Sequence, residues 1–76
     1  MERLYEILEE IQPGIPYKEC ETLIDGRFLD SLSIIALVAE LEEEYDVTIP
    51  AVEIIPANFN SVKAMWEMLQ RLQEEG

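Results

Sequence analysis

The sequence predicts an all-α fold with three substantial helices and one short helix. Three segments of the 76-residue chain repeat apolar residues at intervals of three and four, which is the spacing of one helix face. No segment sustains the alternation of a strand, and the three Gly and four Pro fall mostly between the periodic segments. We therefore expect a single domain, residues 1–76, with helices at about 2–12, 30–46, 53–57 and 60–73.

The first helix is amphipathic. Its apolar face follows the i, i+3, i+4, i+7 rule with Leu4, Ile7, Leu8 and Ile11. Pro13-Gly14 ends the helix, and residues 13–29 then lack a sustained period. A disordered linker would be poor in large apolar residues. This segment keeps five of them, so we expect a long loop packed over the core through Ile15, Leu23, Ile24, Phe28 and Leu29.

The second helix has the clearest pattern. Its predicted buried stripe is Ile34, Leu37, Val38, Leu41 and Tyr45. Asp30 precedes the stripe and is a good N-cap, because its carboxylate can accept hydrogen bonds from the free N–H groups of the first turn. The β-branched residues 47–49 weaken the helix, and Pro50 stops it.

The last third of the chain predicts a turn or two of helix, limited by Pro56, and then a longer helix. Asn58 or Asn60 is expected to cap the longer helix, and residues 74–76 are expected to fray. The apolar face of this helix is Val62, Met65, Trp66, Leu69 and Leu72. The long first loop lets the first two helices run antiparallel or nearly so, with the short element closing one end.

The charge of the chain is strongly negative. Seventeen Asp and Glu against five Lys and Arg give a net charge of −12. Such a surface repels nucleic acid and anionic membranes and attracts basic proteins, although solubility alone would also account for it. No apolar run is long enough to span a bilayer, and Met1-Glu2-Arg3 lacks the apolar block of a signal peptide. With one Cys, Cys20, we expect a cytoplasmic protein without membrane insertion.

Ser31, at the head of the second helix, has no partner to activate it. The chain contains no His, so nucleophilic catalysis by the domain itself is not expected. A zinc site lacks ligands, and a calcium loop centred on Gly26 would place Leu32 where a Glu is needed. We therefore expect no catalytic residues and no metal, and we interpret Ser31 as a residue that another protein modifies.

The second helix carries more apolar residues than its core face requires. Four lie on or near the side opposite the buried stripe: Leu32, Ile35, Ala36 and Ala39. Four glutamates flank them: Glu40, Glu42, Glu43 and Glu44. An apolar centre with a charged rim is typical of a transient docking face. The alternative is that another helix of the bundle covers Ile35.

One combination of motifs resembles a known family. Residues 23–32 read Leu-Ile-Asp-Gly-Arg-Phe-Leu-Asp-Ser-Leu, and the apolar helix is followed by Glu42-Glu43-Glu44-Tyr45-Asp46 and then Ile49-Pro50. Over about residues 4–72 this pattern resembles the acyl carrier proteins, and it is most similar to the freestanding D-alanyl and aminoacyl carriers. The resemblance implies a four-helix bundle of the acyl-carrier type.

The resemblance also implies a function. Ser31 would be the attachment point of 4'-phosphopantetheine, which a phosphopantetheinyl transferase donates from coenzyme A. The thiol of that arm would carry acyl or aminoacyl groups as thioesters between an activating ligase and downstream acyl-using enzymes. The family's recognition surface matches Asp30, Leu32, Ile35, Ala36, Ala39, Glu42 and Glu43, completed by Ile54 or Ile55.

Departures from the family pattern bear on the subtype. Fatty acid carriers usually place acidic residues in the first turns after the Ser, where this chain has Ser33 and Ala36. The segment from Pro50 to Phe59 is also longer than in those carriers. An aminoacyl or specialised acyl carrier is therefore favoured, with fatty acid, nonribosomal peptide and D-alanyl transfer all still open. We expect a monomer. The alternative function is an unmodified acidic interaction module in which Asp30-Ser31 is only a helix cap.

Overall fold

The computed structural model describes residues 2–75. Within that range the chain forms four α-helices and no strand, which confirms the all-α, four-helix class. The helices are α1 (Glu2–Ile11), α2 (Ser31–Tyr45), α3 (Pro56–Phe59) and α4 (Val62–Glu75), and a 3-10 turn spans Ala51–Glu53. None of the helices in the described range is long and apolar enough to cross a bilayer.

The short third helix begins later than the sequence predicted. A helix was expected at 53–57, whereas the structure has the 3-10 turn first and α3 only from Pro56. Ile55 is extended, with φ −129° and ψ 154°, because the proline ring disfavours helical backbone at the residue before it. Pro56 then suits the first helical position, where its missing N–H costs no hydrogen bond.

The predicted cap of the last helix was wrong. Neither Asn58 nor Asn60 caps α4; instead the Ser61 hydroxyl accepts a hydrogen bond from the Ala64 N–H at 3.1 Å. Asn60 has helical φ and ψ of −70° and −22°, whereas an N-cap is extended. At the far end α4 continues through Glu75, so residues 74 and 75 are helical, and residue 76 lies outside the described residues.

The core joins one face of each long helix to the first loop. α1 contributes its predicted Leu4, Ile7 and Leu8, and α4 contributes Val62, Met65, Leu69, Leu72 and the unpredicted Met68. Only Leu37 and Leu41 of the α2 stripe are fully buried, while Ile34, Val38 and Tyr45 are half-buried. Trp66 is also half-buried and meets Tyr45 edge to face, with ring centroids 6.0 Å apart. The second helix is thus more exposed than its pattern suggested.

The first loop packs over the core, as expected. Leu23 and Leu29 are buried, although the predicted anchor Phe28 is 44% exposed. Sequence reasoning missed Tyr17, which is only 4% exposed. Its hydroxyl shares its one proton between the carbonyl oxygens of Leu8, at 3.1 Å, and of Gln12. Tyr17 therefore satisfies carbonyl groups at the end of α1 and fastens the loop to that helix.

The Tyr17 phenol should make stability depend on alkaline pH. Burial, assisted by the negative charge of Glu9, raises the pKa of Tyr17 from 10.0 to about 12. The unfolded chain therefore loses this proton first, so the stabilisation is complete below pH 10 and is lost as pH rises toward 12. Between those limits we expect the free energy of unfolding to fall about 2 kcal/mol further in the wild type than in Tyr17→Phe. Urea unfolding at a series of pH values measures this, and equal pH dependence in both proteins would contradict it.

Candidate functional site

Ser31 is the first residue of α2 and is exposed. The cap predicted at Asp30 is confirmed: its backbone is extended, and its Oδ1 accepts from the Ser33 N–H at 2.8 Å. Hydrogen bonds from Ser33, first from the backbone and then from the side chain, hold the pKa of Asp30 below its usual value. Asp30 is therefore a charged cap and a weak base at neutral pH.

The loop before Ser31 is held by one side chain, Asn60, at the junction of α3 and α4. Its Oδ1 accepts from the N–H groups of Ile24 and Asp25, both at 3.0 Å. Its Nδ2 donates to Asp25 Oδ2 at 3.0 Å, and its carbonyl oxygen accepts from the Leu23 N–H at 2.9 Å. We call this set of contacts the Asn60 clamp. It joins the first loop, a few residues before Ser31, to the junction of α3 and α4.

A tight turn connects the Asn60 clamp to α2. A Cβ on Gly26 would lie 2.7 Å from the carbonyl oxygen of Thr22, so only glycine fits there without a shift of the backbone. Arg27 then adopts left-handed backbone with φ 62°. The N–H groups of Phe28 and Leu29 both return to the Leu23 carbonyl at 3.0 Å. This turn directs Leu29 into the core and leaves Asp30 at the start of the helix.

A groove lies beside Ser31 and has a volume of about 520 Å³. Three segments line it with apolar side chains: Ile24 and Leu29 from the loop, Ile34 and Ile35 from α2, and Ile54 and Ile55 before α3. Ser31 is part of the lining, and the charged residues there are Arg27 and Asp30. The structure therefore places the serine hydroxyl next to an open, mainly apolar surface.

The α3 side of the groove is fixed by polar contacts to α4. Glu53 accepts two hydrogen bonds from the Arg71 guanidinium, at 3.0 and 2.6 Å. Asn58 Nδ2 donates both to Glu53 Oε1, at 3.0 Å, and to the Glu53 carbonyl, at 2.7 Å. These contacts hold the 3-10 turn and α3 together, and they leave Ile54 and Ile55 39% and 45% exposed.

The apolar strip of α2 is exposed. Leu32 and Ile35 are 77% and 67% exposed, and Ala36 and Ala39 are exposed as well. The alternative that another helix covers Ile35 is therefore wrong within residues 2–75. Val52, which sequence reasoning did not single out, is 78% exposed in the 3-10 turn.

Two of the flanking glutamates have structural contacts that the sequence did not reveal. Glu42 Oε2 accepts from the Ile49 N–H at 2.8 Å, which holds the chain where it leaves α2. Glu44 forms an ion pair with Arg3 and so links α2 to α1. Glu40 and Glu43 are exposed.

The arrangement exposes Ser31 in a position from which it can present an attached group. Asp30 is the adjacent carboxylate, and its hydrogen bond with the Ser33 N–H leaves it a poor proton acceptor. Across residues 2–75, no three His, Cys, Asp or Glu side chains lie close enough together to hold a metal ion. Asp30 is thus a weak base for a reaction at Ser31.

Comparisons with known proteins point to one kind of site. A family model described as phosphopantetheine attachment site matches residues 26–74. Aminoacyl carrier protein 2 of Bradyrhizobium diazoefficiens is 44% identical over 41 residues, which are 54% of this chain and 46% of that protein. The match thus spans about half the length of this curated relative. No solved structure matches the chain.

The Asn60 clamp should contribute measurably to stability and to the order of the loop. Asn60→Ala leaves the Ile24 and Asp25 N–H groups without their acceptor. We therefore expect the free energy of unfolding to fall by about 1–3 kcal/mol. Amide hydrogen exchange at residues 24 and 25 should accelerate. Asn58→Ala is the matched control, because Asn58 contacts Glu53 rather than the loop. Unchanged exchange at residues 24 and 25 in Asn60→Ala would contradict this role.

Proposed function

The chain belongs to the acyl carrier protein family, whose members carry a covalent 4'-phosphopantetheine and are not enzymes, and on this premise we propose that Ser31 is the attachment residue. The family model covers residues 26–74 of the 76. The observation that carries the proposal is the position of Ser31: an exposed hydroxyl on the first turn of α2, among the residues that line the groove.

The other two serines have poorer positions for this role. Ser61 uses its hydroxyl to accept the Ala64 N–H at the start of α4. Ser33 is only half-exposed and follows the first residue of α2 by two positions. Of the three serines, Ser31 is the one that combines exposure, a helix N-terminus and a place in the groove lining.

The surroundings of Ser31 fit a phosphodiester. The free N–H groups and the positive end of the helix dipole favour negative charge at this terminus. The transferase must supply the base, because Asp30 is engaged by the Ser33 N–H. The bound arm supplies a thiol that holds cargo as a thioester. A tethered thioester reaches successive enzymes at a high effective concentration.

We infer that the cargo is an aminoacyl group. Two observations support this: the match to a protein named as an aminoacyl carrier, and Ser33 and Ala36 at positions where fatty acid carriers usually have acidic residues. The partners would then be the transferase, an aminoacyl-activating ligase and the enzymes that receive the cargo. A cytoplasmic location stays a prediction from the sequence.

The proposed docking face is the exposed strip Leu32, Ile35, Ala36 and Ala39, extended across the groove by Ile55. Asp30 and Glu43 supply negative charge at its edges. The Glu42 carboxylate contributes less to this rim than the sequence suggested, because it already accepts the Ile49 N–H. A small apolar centre favours weak and reversible binding, which a carrier that visits several enzymes needs.

Intact mass spectrometry tests the attachment residue. After incubation with coenzyme A and a broad-specificity transferase, we expect the wild type to gain one phosphopantetheine and Ser31→Ala to gain none. Ser33→Ala is the matched control, because it removes a hydroxyl from the same turn and keeps the N–H that binds Asp30. It should gain the arm like the wild type.

Two outcomes would overturn the assignment. A mass gain in Ser31→Ala would place the arm elsewhere, and no gain by the wild type with several transferases would favour the unmodified interaction module.

Intact mass spectrometry of protein purified from its natural host identifies the cargo. An added mass that hydroxylamine releases as an amino acid derivative supports the aminoacyl proposal, whereas a released fatty acyl group contradicts it.

Docking should depend more on apolar contact than on charge. Ile35→Asp removes an apolar contact and adds a charge at its centre, so we expect binding to the transferase to weaken about tenfold or more. Raising NaCl from about 0.1 to 1 M should weaken it only a few-fold, because exposed charge pairs contribute little. The control is Gln70→Asp, which adds the same charge at an exposed position of α4. A larger effect of salt than of Ile35→Asp in a binding titration would contradict the apolar-centred face.

A further inference from the structure

Positive charge is scarce in this chain, and most of it is engaged away from the groove. Of five basic residues, Arg3 pairs with Glu44 and Glu6, and Arg71 pairs with Glu53. Lys18 lies over the Tyr5 ring, 5.6 Å from its centroid. Arg27 and Lys63 take part in none of the ion pairs found within residues 2–75. Arg27 lines the groove together with Ser31, and Lys63 is exposed on α4.

The backbone conformation of Arg27 indicates a functional role for its side chain. Arg27 occupies left-handed backbone, a conformation that glycine or asparagine adopts at a lower free-energy cost. The neighbouring glycine does not relieve this, since Gly26 is required by the close approach of Thr22 and has no positive φ. The turn therefore places a long cationic side chain where local conformational preference favours a small one, and it does so on the wall of the groove.

A phosphodiester on Ser31 would add a second negative charge beside the Asp30 carboxylate. The helix N-terminus offsets part of this repulsion, but Asp30 already accepts the Ser33 N–H. A guanidinium in the same groove can balance the remainder, because its planar fork matches two phosphate oxygens and it is more weakly hydrated than an ammonium. Arg27 is the cationic side chain in the groove lining.

We propose that Arg27 is a positioning residue that pairs with the phosphodiester of the arm on Ser31 and so holds the base of the arm at the groove. The proposal rests on the proposed function and adds to it a role for a residue outside the Asp30-Ser31-Leu32 segment. Arg27 acts after attachment: it neither activates the Ser31 hydroxyl nor is required for the transferase reaction.

The test compares apo and holo protein without any partner enzyme. In the wild type, attachment of the arm should shift the Arg27 Nε–Hε resonance in a ¹⁵N NMR spectrum. The change in Tm on attachment should be about 1–4 °C more favourable in the wild type than in Arg27→Gln, as expected for one partly exposed charge pair in a domain of this size. In 1 M NaCl this difference should shrink, because salt screens the pair.

Two variants separate this role from general charge. Lys63→Gln makes the same change in net charge outside the groove, and its response to attachment should equal that of the wild type. Arg27→Lys keeps the charge but loses the planar guanidinium, so it should recover part of the difference in Tm change between the wild type and Arg27→Gln.

An unshifted Arg27 resonance, or equal Tm changes in wild type and Arg27→Gln, would overturn the proposal. Intact mass distinguishes the two levels: no arm on Ser31 overturns the proposed function as well, whereas an arm without an Arg27 response overturns this inference alone.

Discussion

The structure depends on a single side chain that joins the two halves of the chain. Asn60 accepts the backbone N–H groups of residues 23–25 through its Oδ1 and its own carbonyl oxygen, and its Nδ2 donates to the Asp25 carboxylate. Without this clamp the N–H groups of Leu23, Ile24 and Asp25 would lose the acceptors that they have in the fold. With the clamp in place, the Gly26–Arg27 turn can form, Leu29 enters the core and Asp30 arrives at the start of α2. Because Asn60 also lies between α3 and α4, the clamp joins the loop side of the groove to the end of α3.

The acidic residues serve the fold as well as the surface charge. Glu53 fixes the 3-10 turn to α4 through Arg71, Glu42 accepts the Ile49 N–H at the exit of α2, and Asp30 caps its entry. A domain of 76 residues has a small core, so polar contacts at helix ends and turns carry a larger share of the specification than in a larger protein. Carboxylates suit these places because a charged acceptor forms a stronger hydrogen bond with a backbone N–H.

The site is positioned by the same polar contacts at helix ends and turns. The cap and turn present the Ser31 hydroxyl without a base, beside an apolar groove and an exposed apolar strip. Such a surface suits a residue that is modified and then presented by docking, which agrees with membership of a non-catalytic carrier family. The half-buried stripe of α2 is consistent with this division: the helix gives Leu37 and Leu41 to the core and keeps Leu32 and Ile35 on the surface.

The sequence was enough to predict the three long helices, the Asp30 cap, the position of Ser31 at the head of α2 and the apolar residues of the strip. These features are local, since a 3.6-residue period and a capping side chain act within a few positions of the chain. Contacts between distant residues gave the rest: Asn60 clamps the loop instead of capping α4, Glu42 holds Ile49, and Arg27 shares a groove with Ser31. The exposure of Ile35 likewise follows from how the helices pack. The Asn60 contacts join residues 35 and 36 positions apart, and periodicity carries no information about such pairs. The late start of α3 is an intermediate case: the Ile55–Pro56 pair disfavours an earlier start, and the preference before proline points to a start at Pro56.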